Sequence, residues 1–496
     1  MKKAAKGIIG LAAVLAVLGG GVAALRLTEP DESQESSAES SEVYGAGRVI
    51  LEDGDIESVK LKNTSGEMNI ILDSSNSTDT AAVYTIEGYE DIPLVTATVS
   101  AAVNGAKGLT SAAVASDDCN ELEKYGLSSP EITAEYHYAS GKTVTLSIGD
   151  KVPTASNYYV KTSENNTVYT VSSGSLTNYS KSVEEFVSST ILEEPAEEDY
   201  PIISSLRIER EDMDSDIYLE YNEHSDDKYW GGSSAAHIMV EPVDAFLSVE
   251  RSESITNGLF GLTSKGVYSI HPGESEIAEA GLAEPFCRVT MKCDDGSSYV
   301  FIMSEPYVDE NGKKLHYAMF EGGNIIYIVS ADDAQWGTVK LIDITSKIFV
   351  GSNVWCISEL KIGGRDVVDS DIVISPSDAV TDMDSRSSKT MNATRNGAEI
   401  DSERYRSYYS LLINLPAEEF ALDAEIPSTE PILTLNITDS YKNTVTDIRF
   451  YDYSSMSALV VVDGKSKYLC NKSQIEMMAD NANRFETGED FVTTWK

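Results

Sequence analysis

The stretch YGLSSPEITAEYHYASGKTVTLSIGD, from Tyr125 to Asp150, has a counterpart 155 residues later in AGLAEPFCRVTMKCDDGSSYVFIMSE, from Ala280 to Glu305. Each carries a Gly-Leu pair, a proline four residues after that glycine, and another glycine eleven residues after the proline: Gly126, Pro130 and Gly141, then Gly281, Pro285 and Gly296. Each residue has a conformational use. Gly126 supplies the left-handed backbone that stops a short helix over SDDCNELEKYGL, with Ser116 as its cap. Pro130 forbids helix continuation and opens a strand. ITAEYHY and TVTLSIG then flank ASGK, a turn around Gly141, and predict a β-hairpin.

Working outward, the same grammar covers most of the chain. IESVKLK from Ile56, ISSLRIE from Ile203 and ISELKIG from Ile357 recur at offsets of 147 and 154 residues, each alternating like a half-buried strand. A turn and a second strand follow each: MNIILD, DIYLEY and DIVISP. Helical segments come next in VTATVSAAVNGAKGL, VDAFLSVERSESITNGL and SERYRSYYSLLINL. YYVKTSENNTVYTV, HYAMFEGGNIIYIV and ALVVVDGKSKYLC predict further hairpins. SGSLTNYSKSVEEFV, SADDAQWGTVKLI and NKSQIEMMADNANRF predict closing helices. In the first of these Leu176, Tyr179, Val183, Phe186 and Val187 share one helical face. Ser330, Asp332 and Asp333 start the second. The fold class expected is α+β: an N-terminal transmembrane helix, then three related units of antiparallel hairpins and meanders packed with helices. The boundaries are 1–27 for the anchor, 28–48 for a linker, and 49–195, 196–350 and 351–496 for the units. The third unit is divergent: TEPILTLNITD keeps Pro431 but lacks the Gly-Leu pair.

The ends and the charge bear on location. Lys2, Lys3 and Lys6 precede an uncharged run from Gly7 to Leu25, and an acidic, Ser-rich stretch follows. At 1.5 Å per residue the run nearly spans a hydrocarbon core, and the charge asymmetry directs the rest of the chain out of the cytoplasm. A retained anchor is expected over a cleaved signal, and the segment after it reads as a tether. The chain of 496 residues has a formal net charge of −43. That argues against nucleic acid, which needs clustered Lys and Arg, and against docking on an anionic membrane surface. Cys119, Cys287, Cys293, Cys356 and Cys470 are odd in number and sparse, so no disulfide framework is implied and all five read as small buried hydrophobes.

Gly-Leu-x-x-Pro before a strand, SGKTVTLSIGD at 140–150, YYVK at 158–161 and VYTV at 168–171 resemble the bacterial family called domain of unknown function 4340. The resemblance is closest over 120–172, recognisable over 196–350, and extends in outline over 351–496. It implies an envelope protein with an N-terminal membrane segment, encoded beside components of a gliding-type ABC transport system. The family offers no catalytic residues to carry over.

Motif by motif, little chemistry emerges. SGKT at 140–143 and DGKS at 463–466 lack the upstream glycine of a phosphate loop, with Tyr136 and Leu459 in its place, and strands rather than helices follow. Asp212, Asp214, Asp216 and Glu223 stand at positions one, three, five and twelve of a calcium loop, but Ile217 occupies the glycine position. They read as an acidic turn, with weak calcium binding as the alternative. His137, His224, His237, His271 and His316 show no metal-ligand spacing, and GxSxG and HExxH are missing. Trp230, Trp336 and Trp355 are candidates for a sugar or peptide platform, with Trp230 and Trp336 expected in sheet–helix seams instead. No cofactor and no enzyme activity are expected. The function expected is a membrane-anchored, extracytoplasmic interaction protein whose partners are the membrane and ABC transporter membrane subunits. A ligand-binding module for cell-wall glycan, peptide or calcium is the alternative.

Overall fold

The computed structural model describes residues 44–78, 81–153 and 155–494. The expected membrane helix over 1–27 and residues 28–43 of the 28–48 linker lie outside the described residues. Among those described, no helix is long and apolar enough to cross a membrane. The chain divides into two compact units: one of the residues up to Asp53 with Gly108–Pro130 and Leu146–Ser175, the other of Gly54–Lys107, Glu131–Thr145 and Leu176–Lys496.

The architecture is mixed α+β, with three mostly antiparallel sheets of eight, ten and nine strands. The first uses β1 (Ile56–Asn63), β2 (Gly66–Leu72), β3 (Tyr84–Ile86), β4 (Ala113–Ser116), β5 (Ile132–Tyr138), β6 (Thr143–Lys151), β7 (Asn157–Thr162) and β8 (Val168–Ser172). The second uses β9 (Ile203–Arg210), β10 (Ile217–Tyr221), β11 (His237–Glu241), β12 (Ala245–Phe246), β13 (Gly266–Ile270), β14 (Cys287–Cys293), β15 (Ser298–Met303), β16 (Tyr307–Val308), β17 (Lys314–Phe320) and β18 (Ile325–Ser330). The third uses β19 (Ile357–Gly363), β20 (Ser370–Pro376), β21 (Met391–Arg395), β22 (Ala398–Ile400), β23 (Glu419–Phe420), β24 (Leu433–Asp439), β25 (Thr444–Asp452), β26 (Ser457–Val462) and β27 (Lys465–Asn471).

One strand order recurs. It runs β3-β2-β1-β5-β6-β7-β8-β4 in the first sheet, β12-β11-β10-β9-β14-β15-β17-β18-β13 in the second and β22-β21-β20-β19-β24-β25-β26-β27-β23 in the third. In each, the opening strand is central, a meander leads away on either side, and a short strand from mid-segment returns to pair with the last. The opening strand also carries the same irregularity each time. Its pairing with the strand across the crossover slips by one at Glu57, at Ser204 and at Ser358. A bulge of this kind shifts the pleat by one residue. Ile56 is therefore followed inward by Val59 and Leu61, Ile203 by Leu206 and Ile208, and Ile357 by Leu360 and Ile362.

Helices cover the sheets where the apolar spacing directs them. α1 (Thr96–Asn104) and α2 (Val249–Thr256) fall within the predicted segments, and Ser248 caps α2. α3 (Ser402–Ile413) starts at Asp401, whose carboxylate accepts from the Glu403 amide at 2.8 Å. Its Tyr405, Tyr408, Tyr409 and Leu412 fall at helical spacing and are fully buried against the third sheet. α4 (Lys472–Thr487) adds Ile475, Met478 and Phe485 to the same core.

Two of the predicted closing helices break up. Residues 173–187 form a four-residue helical turn and two 3-10 turns, with extended backbone at Lys181 and Val187. Leu176, Tyr179, Phe186 and Val187 are still buried, as their pattern demanded. The run is rich in Ser, whose side chains compete for backbone partners: the Ser180 hydroxyl donates to the Thr177 carbonyl at 3.0 Å. The second, expected from Ser330, gives a 3-10 turn at Gln335–Gly337 and a helical turn at Leu341–Ile344. Ser116 likewise ends β4 rather than capping the turn at Leu122–Tyr125, whose N-cap is Glu121.

All five cysteines are buried and unbridged, with Cys287 and Cys293 at opposite ends of β14. Burial pushes the Cys287 and Cys470 thiols up to about 12 and Cys356 to about 11. Thiolate is the reactive form. In a thiol titration the folded chain should therefore leave these groups unmodified until denaturant is added. Rapid labelling without denaturant would contradict their placement.

Two histidines make stability depend on pH. His237 and His316 are 4% and 0% exposed, and burial lowers both pKa values, against an opposing hydrogen bond to the Ile203 and Ser304 carbonyls at 2.7 Å. The folded state then holds fewer protons than the unfolded chain. Their stabilising effect is complete above the unfolded value of about 6.5 and is lost as pH falls below it, by up to about 1.4 kcal/mol per pH unit for each group. Urea unfolding at pH 7 and pH 5 should show this slope, and replacing both by Gln should flatten it.

Candidate functional site

One concavity of the larger unit lies where β11 and β12 of the second sheet meet β24, β25 and β27 of the third. Its volume is about 240 Å³. Apolar side chains make the walls: Ile238, Phe246, Phe349, Val350, Ile448 and Tyr468. Exposed Asp244 and Thr444 mark its solvent side. The ring of Phe246 is held by close backbone approach. A Cβ built on Gly232 or Gly351 would come within 2.3 Å or 2.5 Å of that ring, so glycine at both positions lets the wall form.

Two lysines line this space, each placed by an irregular piece of backbone. Lys442 sits in the β24–β25 turn, where the Asp439 carboxylate accepts from the Tyr441 and Lys442 amides at 2.9 Å and 3.0 Å and Asn443 takes a left-handed φ of 56°. Its ammonium lies 5.4 Å from the centroid of the Trp230 ring, which in turn stacks on His224 at 3.5 Å. Lys467 is the extra residue of a bulge in β27, where Val460 pairs with Tyr468 but Val461 pairs with Ser466. Its ammonium donates to the Asp244 backbone carbonyl at 3.2 Å. Burial pulls both ammonium groups below the usual lysine range, against the attraction of Asp439 for Lys442 and of Asp244 for Lys467. Burial, with Asp244 nearby, also raises Tyr468 to about 12.

The residues singled out from sequence lie elsewhere. Asp216 pairs with Arg207 at 2.8 Å and Asp212 with Arg210, while Asp214 and Glu223 are exposed. Among the described residues, no group of three or more His, Cys, Asp or Glu side chains is arranged to hold a metal ion. Gly141 and Gly464 of SGKT and DGKS take left-handed backbone in hairpin turns, at φ of 82° and 75°. Trp336 is the core residue expected, with its indole donating to the Ile255 carbonyl at 2.8 Å. Trp230 is not a seam residue: it lies in a turn, half-buried on His224, because the tight turns at Asp227 and Gly231–Gly232 lift it off the sheet. Trp355 is half-buried and lines a smaller cavity with Ile357 and Met391.

Residues 85–285 match the family model described as a domain of unknown function, DUF4340. This stretch is similar to a DUF4340 domain. It runs from β3 of the first sheet to Pro285, the proline of the second Gly-Leu-x-x-Pro, so the DUF4340 match takes in strands of two sheets. The cavity's β11 and β12 fall inside the DUF4340 stretch, whereas Lys442 and Lys467 lie beyond it. No curated protein and no solved structure matches the chain.

Proposed function

We propose that this chain is a non-catalytic, membrane-tethered interaction protein whose bulk lies outside the cytoplasm, and that it serves as an accessory to an ABC-type export system of the bacterial envelope. The observation that carries the reading is the recurrence of one strand order, with one bulge position, in three successive sheets. Three copies of a module built over 49–195, 196–350 and 351–496 suit a chain that presents surface to partners. The basic N-terminus before the Gly7–Leu25 run supports the tether and the export of the rest of the chain.

The test is crosslinking of the full chain in native membranes, followed by its purification. The chain should sediment with membranes after alkaline extraction and carry transporter membrane subunits with it. A chain found in the cytosolic fraction, or one that crosslinks to no envelope protein, would overturn the reading.

A further inference from the structure

We propose that the cavity between the second and third sheets binds a small organic anion, a carboxylate or phosphate monoester carried on a compact apolar group. This goes beyond the export role and does not depend on it.

Three observations converge. First, the cavity measures about 240 Å³. That exceeds the roughly 150 Å³ apolar cavity that takes up benzene, and it falls below the drug-sized range. The occupant is therefore small, and walls of Phe246, Phe349, Ile448 and Tyr468 select an apolar body.

Second, the charge inside is opposite to that of the chain. The protein's net charge is −43, yet this cavity is lined by two lysines and one carboxylate, Asp244. Among the described residues neither ammonium is ion-paired: Lys442 has the Trp230 ring face and Lys467 a backbone carbonyl. Removing an ammonium from water without an anionic partner is costly, and an anion in the cavity offsets that cost. The depressed pKa values of both lysines report the same desolvation.

Third, irregular backbone places both lysines at the cavity wall. Lys467 is the unpaired residue of a bulge, a device that turns a side chain out of the strand's alternation. Lys442 projects from a turn locked by Asp439. Each ammonium supplies three donors and no acceptor, which suits an oxyanion and excludes a cationic ligand.

Calorimetric titration of the full chain in zwitterionic lipid discs tests this with hexanoate, hexyl phosphate, hexanol, hexylamine and acetate. Hexanoate or hexyl phosphate should bind at least about tenfold tighter than hexanol and acetate, and hexylamine should not bind; which anion prevails assigns the headgroup. Lys467→Met and Lys442→Met should each weaken the anion at least about tenfold while the ligand-free melting temperature stays near that of the parent. Lys467→Arg retains the charge and should retain most of the affinity, so a methionine variant that fails to fold leaves the test intact. Equal affinity for hexanol and hexanoate, preference for hexylamine, or undiminished anion binding in both methionine variants would overturn the proposal.

Discussion

Replacing Trp336 by alanine should lower the unfolding free energy by about 3–5 kcal/mol, the range for losing a buried aromatic. Trp336 is fully buried and packs edge-on against Phe301, with centroids 6.3 Å apart. Its indole N–H donates to the Ile255 carbonyl in the last turn of α2, where helical carbonyls lack partners of their own. Truncation thus empties a large volume and strands a buried acceptor. Trp336→Phe keeps most of the volume and loses only the donor, at about 1–3 kcal/mol. Urea unfolding followed by circular dichroism separates the two. An alanine variant within about 1 kcal/mol of the parent would mean that the site collapses around the gap, contrary to the packing described.

The second large effect concerns Gly126 and its counterpart. Gly126 ends the Leu122–Tyr125 turn at φ 66°, and a Cβ there would lie 2.4 Å from the Asp150 carboxylate and 2.8 Å from its amide nitrogen. Gly149 is equally confined, with its Cβ position 2.1 Å from the Tyr125 carbonyl oxygen. The two ends of the stretch from Tyr125 to Asp150 therefore close on each other. Gly126→Ala should cost about 1–2 kcal/mol for left-handed backbone and about 1–3 kcal/mol more for overpacking. Gly281 has the same backbone, φ 71°, but its Cβ would meet the Ser304 Cβ at an ordinary 3.5 Å. Gly281→Ala should incur the backbone cost alone. Equal losses at the two sites would refute the steric part of the account.

That contrast shows how much the chain's own letters revealed. Gly-Leu-x-x-Pro identified the stop, the strand start and the hairpin, because glycine and proline act locally. The opening strands at Ile56, Ile203 and Ile357 were legible for the same reason. Their bulges were not read, although the signal is present: in IESVKL, ISSLRI and ISELKI the second inward residue comes three positions after the first, where strict alternation requires two. The returning strands β4, β13 and β23 are two to five residues long and are defined by a distant partner, so no local pattern marks them. The segment 173–187 buried four of the five expected side chains, leaving Val183 half-buried, without the expected helix, since burial follows spacing while backbone conformation also answers to serine hydroxyls.

The cavity was the least legible feature. Its lysines look like ordinary turn and strand residues, and only the three-dimensional meeting of β11–β12 with β25 and β27 gives them a common purpose. The hint available was compositional: SYKN and KSKY set lysines next to tyrosines in a chain dominated by carboxylates. Asp212, Asp214, Asp216 and Glu223 had a more familiar spacing, but spacing alone could not foresee that Arg207 and Arg210 would take two of them.

The slip at Glu57, Ser204 and Ser358 works as a reading-frame marker for anyone cutting and rejoining this chain. Everything after it is in phase with the sheet's interior, and the isoleucine before it is in phase only because one residue is skipped. Chimaeras that exchange whole segments should therefore be joined upstream of Ile56, Ile203 or Ile357. A junction that drops the skipped residue would leave that isoleucine two positions before the next inward side chain, in phase by plain alternation and with the bulge gone.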